Sequence, residues 1–372
     1  MQKRARDIAT RLLAEAGVTV GGDAPWDLQV HDDAFYARVM GGGQLALGES
    51  YMDGWWDASA IDELIVKLLE ARLEQRVRAD AQAIIFGLTC RLTNQQTRRR
   101  SFEVGSRHYD IGNDLFRIML DRRLVYSCAY WRSADSLDEA QEAKLDLICR
   151  KLELEPGMRL LDVGCGWGGL LQYAAERYGV EGVGVTVSRE QAEHATERCR
   201  GLPVTILLED YRSLDDVFDR VASVGMVEHV GWKNYPTFMQ AVHRALKPGG
   251  LFLLHTIGSN VSTHHIDPWL ERYIFPNSML PALAQLSAAA EPYFVVEDVH
   301  NFGPYNERTL IEWERRFRDG WDEIAGAYGE RFYRMWRYYL LSSAAGFRVR
   351  RIQLWQILLS KVPRPIPVER LA

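Results

Sequence analysis

The sequence predicts an α/β protein: a mostly parallel, seven-stranded sheet with helices on both faces, preceded by a small, mainly helical N-terminal domain. Three observations carry this expectation. From Gly157 onward, apolar β-type runs alternate with helical stretches, the order that a parallel sheet with crossover helices imposes. The first of these runs ends in a glycine-rich turn, LLDVGCGWGG at 160–169. The first hundred residues lack the alternation, and 372 residues exceed what one hydrophobic core usually organises.

The elements follow in chain order. Ile8, Leu12 and Leu13 make a small apolar face that Gly17, Gly21 and Gly22 end. GGGQLALGESYMDGWWD reads as a turn-rich, aromatic stretch without strong periodicity. Ile61, Leu64, Ile65, Leu68 and Leu69 fall at helical spacing, which predicts a helix over 61–73. NQQTRRRS (94–101) is polar and aperiodic, so the expected division is an N-terminal domain at 1–93, a linker at 94–105 and a larger domain at 106–372. Beyond it, MRLLDVG, EGVGVTV, PVTILLED, DRVASVG, GLFLLHTIG, FVVEDVHNF and RRIQLWQILLSK supply the seven strands. GGLLQYAAERYG is a helix ended by Gly179, and Ser188 N-caps the helix of SREQAEHATERCRG.

Charge narrows the partners. The formal net charge is -5, so the molecule as a whole is not drawn to polyanions and no nucleic-acid partner is expected. Residues 1–70 hold 6 Lys/Arg and 12 Asp/Glu, whereas residues 71–102 hold seven arginines and two acids. Ile84, Ile85, Phe86, Leu88 and Leu92 add apolar bulk to that basic stretch. It suits either an anionic membrane surface or a helix packed on its own domain followed by a basic linker. Five cysteines (Cys90, Cys128, Cys149, Cys165, Cys199) form no CxxC pair and no zinc spacing, which fits a reducing cytoplasm and no metal. The charged N-terminus lacks the apolar run of a signal peptide. The uncharged, apolar stretch Tyr273 to Ala290 is interrupted by Pro276, Asn277, Pro281 and Gln285, a poor membrane span.

The glycine turn carries the first chemical signal. Gly164, Gly166 and Gly169 satisfy G-x-G-x-x-G, which by itself also fits a dinucleotide site or a bare tight turn. A dinucleotide fold wants a carboxylate at the tip of the second strand. That tip instead offers Thr186, Ser188 and Gln191, and Asp162 lies two residues before the first glycine. S-adenosylmethionine, with an ammonium, a sulfonium and no pyrophosphate, fits better than NAD. In LEDYR (208–212), Asp210 can take the adenine amino group and Tyr211 can stack, with Arg212 beside them.

LLDVGCGWGG, YSCAYW (126–131), GMVEHVG (225–231), LLHTIG (253–258) and YIFPNSMLP (273–281), with GESYMDGWWD (48–57) and HYDIGNDLF (108–116), resemble the cyclopropane-fatty-acyl-phospholipid synthases of the bacterial two-domain form. The related mycolic acid cyclopropane synthases mostly lack the N-terminal domain. The resemblance spans nearly the whole chain. It implies a Rossmann-like class I S-adenosylmethionine-dependent methyltransferase fold. It also implies transfer of a methylene from S-adenosyl-L-methionine to the cis double bond of an unsaturated acyl chain in a membrane phospholipid. Bicarbonate is the implied proton acceptor, with Cys128, Glu228, His255, the backbone at Ile257 and Tyr305 as its ligands. Tyr126, Ser127, Cys165, Trp167 and Gly168 join the implied cofactor-binding set. A homodimer at the inner face of the cell membrane is implied as well.

The chemistry is consistent with such a site. An alkene cannot be activated by deprotonation, so proximity must carry much of the barrier. Water would capture the carbocation, so the cavity must be dry. Aromatic faces can stabilise the cation by about 1–2 kcal/mol each. Each residue also has a plainer reading: Glu228 as a helix cap, His255 as a structural strand-end residue, Cys128 as a small buried hydrophobe, Tyr305 as a packed aromatic. Some members carry a cysteine where LLSSAAGFRVR here has Ser343, which argues against an obligatory covalent catalyst at that position. Tyr273–Ala290 and Phe332–Leu341 suit a lipid channel or ordinary helix packing. The competing functions are a related methyltransferase acting on a soluble amine or alkene, and a lipid-surface S-adenosylmethionine-binding protein without turnover.

Overall fold

The computed structural model describes residues 2–73 and 112–365. The linker at 94–105 and the arginines from Arg76 to Arg100 lie outside the described residues. The chain divides into two compact units, and neither is a single stretch: one comprises Met1–Thr93, His265–Pro276 and Leu310–Ile352, the other Asn94–His264, Asn277–Thr309 and Gln353–Ala372.

The first unit is mainly helical. It contains α1 (Gln2–Glu15), β1 (Gln29–Val30), α2 (Ala34–Met52), β2 (Trp56–Asp57) and α3 (Ile61–Glu70). The segment read from sequence as turn-rich is largely helical. α2 runs through GGGQLALGESYM and is broken only at Gly43, which sits at φ 55°, ψ -136°. Packing outweighs the weak glycine propensity here. At Gly48, a β-carbon would lie 2.5 Å from the Trp269 indole, so the ring closes directly on the helix backbone. The helix predicted from Ile61 is present and ends at Glu70.

Later stretches complete this unit. Tyr338 packs edge-on against Trp56 and Trp269. The Arg334 guanidinium donates to the Trp56 carbonyl and to Asp57, and Arg348 pairs with Asp62 at 2.6 Å. Trp336 and Leu340 are fully buried.

The second unit holds the predicted sheet. Its helices α4 (Asn113–Met119) and α5 (Leu137–Lys151) precede the first strand, β3 (Arg159–Val163). Then come α6 (Gly169–Tyr178), β4 (Glu181–Thr186), α7 (Arg189–Arg198), β5 (Val204–Leu208), β6 (Phe218–Val224), α8 (Tyr235–Ala245) and β7 (Leu246–Ser259). Further on lie α9 (Pro268–Tyr273), α10 (Leu283–Ala290), β8 (Val295–Asn301), α11 (Gly303–Asp319), α12 (Trp321–Tyr328), α13 (Glu330–Arg348) and β9 (Ile352–Ser360); of these α9, α12, α13 and the later part of α11 belong to the first unit. The strand order is β5-β4-β3-β6-β7-β9-β8. The pairs among β5, β4, β3, β6 and β7 are parallel, and β8–β9 is antiparallel. All seven predicted strands are present.

The strand alternation sorts the core into two layers. Leu161, Val163, Val221, Phe252 and Leu254 pack with Phe238 and Met239 of α8. Their neighbours Leu160, Ala222, Leu251 and Leu253 pack with Ile148 of α5 and Leu171 of α6 on the other face. Each such side chain contributes about 1.5–3 kcal/mol on burial. The two layers fix the sheet, and with it the carboxyl ends of β3, β4, β6 and β7, where open α/β sheets bind ligands.

Candidate active site

The turn after β3 needs its glycines for two separate reasons. Gly164 adopts φ +86°, and a β-carbon there would lie 2.7 Å from Met226. At Gly169 a β-carbon would lie 2.8 Å from the Arg123 carbonyl. Bare backbone at these points opens a cavity of about 170 Å³ at the strand ends.

Of the twenty residues expected to act, fourteen line this cavity. Asp162, Gly164, Cys165, Gly166, Trp167 and Gly169 form the wall at the turn. Thr186, Ser188 and Gln191 form the next wall, held by their own bonds. Thr186 Oγ1 donates to Gln191 Oε1 at 3.0 Å, and Ser188 Oγ accepts from the Gln191 amide as the N-cap of α7. Tyr126 and Ser127 close another side. Tyr126 meets Phe116 edge-on, and Trp167 donates to Asn113 Oδ1 at 2.9 Å. Asp210, Tyr211 and Arg212 line the far end. There Arg212 grips Asp210 with two side-chain bonds, at 2.7 and 2.6 Å, and Tyr211 packs on Phe238. Asp210 is thus engaged by its own neighbour as well as facing the cavity. Gly168 does not line the wall: it is the left-handed N-cap of α6, packed against Ala195.

Burial sets the charges. Asp162 is 2% exposed, its Oδ1 has no hydrogen-bond partner among the described residues, and burial pushes its carboxyl up to about 7. Lys144 of α5 lines the same cavity, and burial pulls its ammonium down to about 8. Gln141, also on α5, donates to the carbonyls of Val125 and Ser127 and so fixes the YSC segment. Sequence reasoning missed both residues. The available signal was polar Gln141, Lys144 and Lys151 sharing a helix face with apolar Ile148.

The other five residues are also in this unit. Glu228 Oε1 accepts from the Ile257 amide at 2.8 Å, while its Oε2 is buried without a partner among the described residues. Through Oε1, Glu228 therefore bonds across to β7. Burial raises its carboxyl to about 7. His255, on β7, is fully buried, and burial holds its imidazole well below the usual range, hence neutral. Its Nδ1 meets Gln356 at 3.3 Å, and its Nε2 has no partner among the described residues. Rings connect it to the rest: His255 to Phe302 at 5.6 Å, Phe302 to Tyr130 at 5.6 Å, and Tyr130 to Tyr305 at 5.4 Å. The Cys128 thiol is buried and contacts the Ala129 carbonyl, and burial pushes its pKa far up.

The cavity has a carboxyl for an ammonium, hydroxyls and an amide for ribose, and an aromatic flank, as a nucleoside with an amino-acid tail requires. The family model described as "Mycolic acid cyclopropane synthetase" matches residues 96–357. The chain belongs to the mycolic acid cyclopropane synthetase family. It is an S-adenosylmethionine-dependent methyltransferase. It is 53% identical over 354 residues to the cyclopropane-fatty-acyl-phospholipid synthase of Escherichia coli (strain K12), covering 95% of this chain and 93% of that one. This bears out the resemblance read from the motifs. Among solved structures, mycolic acid cyclopropane synthase CmaA1 complexed with SAH and CTAB superposes with a TM-score of 0.66 at 33% identity, over 70% of this chain and 98% of that one. Coclaurine N-methyltransferase, bound to N-methylheliamine and SAH, gives 0.71 at 25% identity, over 85% and 99%. These relationships agree with the fold class expected from the sequence.

Proposed function

We propose that this family member transfers the methylene carbon of S-adenosyl-L-methionine to the cis double bond of an unsaturated acyl chain in a membrane phospholipid, giving a cyclopropane ring and S-adenosylhomocysteine. The identity to the E. coli synthase over nearly both full lengths carries the reading. The buried, ring-lined cluster around Glu228 and His255 supports it chemically.

Alkylation leaves positive charge on hydrocarbon, and a proton must then leave the transferred carbon. The rings of Tyr130, Phe302 and Tyr305 offer faces that stabilise a cation without attacking it, at about 1–2 kcal/mol each. Neutral His255 and buried Cys128 add no competing nucleophilic anion. The orphaned Glu228 Oε2 and His255 Nε2 fit a small oxygen-bearing ligand, since each buried polar atom left bare costs about 1–3 kcal/mol. Bicarbonate fits them, and Cys128, Glu228, His255, the main chain at Ile257 and Tyr305 would hold it. When bound, it supplies a compact base for the departing proton. Glu228, near 7, is poised to hold or release a proton at neutral pH. The Ile257 amide favours its ionised form.

Among the described residues no helix is long and apolar enough to cross a membrane. In our reading the substrate is met at the bilayer surface, with the basic stretch at 71–102 as the contact and a homodimer providing two such contacts. The test is incubation of the purified protein with S-adenosylmethionine and vesicles of cis-unsaturated phospholipid. Acyl chains heavier by one methylene and resistant to hydrogenation are expected. Methylation of a soluble amine with unchanged lipid would overturn the reading.

A further inference from the structure

Helix α5 places a charge where its pattern calls for an apolar side chain. Lys144 is fully buried, and its Nζ donates to Ser127 Oγ at 2.9 Å. An ammonium has three N–H donors. Ser127 is its one hydrogen-bond partner among the described residues, and no ion pair joins it to an acid there. Two donors are left over in a site where an unpaired cation costs several kcal/mol.

Asp162 lines the same cavity with the complementary deficit, a buried Oδ1 that accepts from none of the described residues. Lys144 feels two buried carboxyls, Asp121 more strongly than Asp162, but the Asp121 oxygens already accept from the Arg123 and Val125 amides; burial drives Lys144 and Asp162 both toward neutrality. The cavity wall therefore carries a cationic donor and a carboxyl acceptor, each short of partners. A ligand with a single charge would satisfy one and leave the other bare. A ligand with an anion and a cation on adjacent atoms would satisfy both. An α-amino acid head group is such a ligand.

We propose that Lys144 binds the α-carboxylate of the methionyl part of S-adenosylmethionine while Asp162 takes its α-ammonium, so that the cavity recognises this head group as a zwitterion. This deepens the S-adenosylmethionine-binding reading and rests on it. It makes α5, which lies before the glycine turn in sequence, part of the cofactor site. It also explains why Ser127 is bonded to a lysine: the hydroxyl fixes one N–H and thereby aims the other two.

The test compares S-adenosylmethionine with its decarboxylated analogue, which keeps adenosine, sulfonium and amine. Isothermal titration of the wild-type protein is expected to show S-adenosylmethionine binding about tenfold or more tighter, the value of one charge-assisted hydrogen bond. In Lys144→Met, S-adenosylmethionine should weaken about tenfold while the analogue binds as in wild type, so that the preference collapses. Equal wild-type affinities overturn the proposal whether or not the variant folds. Equal weakening of both ligands in a variant with an unchanged melting temperature also overturns it. Wild-type protein that binds neither compound overturns the cofactor reading itself.

Discussion

Glu228→Gln separates proton handling from architecture. The glutamine keeps an oxygen to accept from the Ile257 amide, the 2.8 Å bond that seats the side chain. It removes the ionisable oxygen at the orphaned Oε2 position. Burial moves this carboxyl from 4.5 to about 7, equivalent to roughly 3 kcal/mol held against the charged form. Because the folded-state pKa is raised, the wild-type stability contribution is fully present below about 4.5 and is lost as pH rises through about 7. The glutamine has no such dependence. The variant should therefore gain on wild type between pH 5 and pH 8.5, by up to roughly 3 kcal/mol in urea unfolding. Turnover on vesicles should fall about 10²- to 10⁴-fold, the range for a lost acid–base group. S-adenosylmethionine affinity should stay within about twofold, since Glu228 is not part of the cavity wall. A stability gap that does not move with pH would refute the burial argument. Loss of cofactor binding in step with turnover would refute the assigned role.

Gly164→Ala should lower stability by about 1–3 kcal/mol, because φ +86° and a 2.7 Å approach to Met226 both oppose a β-carbon. Denaturant unfolding measures this, and titration should show weakened S-adenosylmethionine binding. Cys128, Cys149 and Cys165 are buried with thiols pushed upward. All three should resist iodoacetamide in the native protein at pH 8 and react once it is unfolded, as mass spectrometry would record. Asp162→Asn should weaken S-adenosylmethionine binding by about tenfold, read by titration. Changing Arg98, Arg99 and Arg100 to Ala should reduce cosedimentation with anionic vesicles, by about 1 kcal/mol per arginine at the surface.

The parts of the fold that were legible share one property: their signal is local. β3, β4 and β6 are short apolar runs with turn residues at their ends, and Gly164 and Ser188 announce a tight turn and a cap through their own chemistry. α2 was not legible because three consecutive glycines weaken any local preference, and the helix depends on Trp269, more than two hundred residues away. The composition of the first unit was hidden for the same reason. Nothing in the sequence around Arg334 says that its guanidinium will reach the backbone of Trp56. The residues carried by motifs were legible as candidates, and fourteen of them line the cavity, whereas Lys144 and Gln141 were not legible. Both sit in an ordinary helix and gain their meaning only from what α5 packs against.

The assembly of the first unit from stretches hundreds of residues apart sets a schedule for synthesis. A ribosome adding about 5–20 residues per second needs some tens of seconds to pass from α3 to the end of α13. During that interval Tyr51, Trp56 and Leu64 have emerged without the helix that covers them. The nascent polypeptide thus carries an apolar, partly aromatic surface whose covering helix is synthesised last, the kind of transient exposure that favours aggregation over folding.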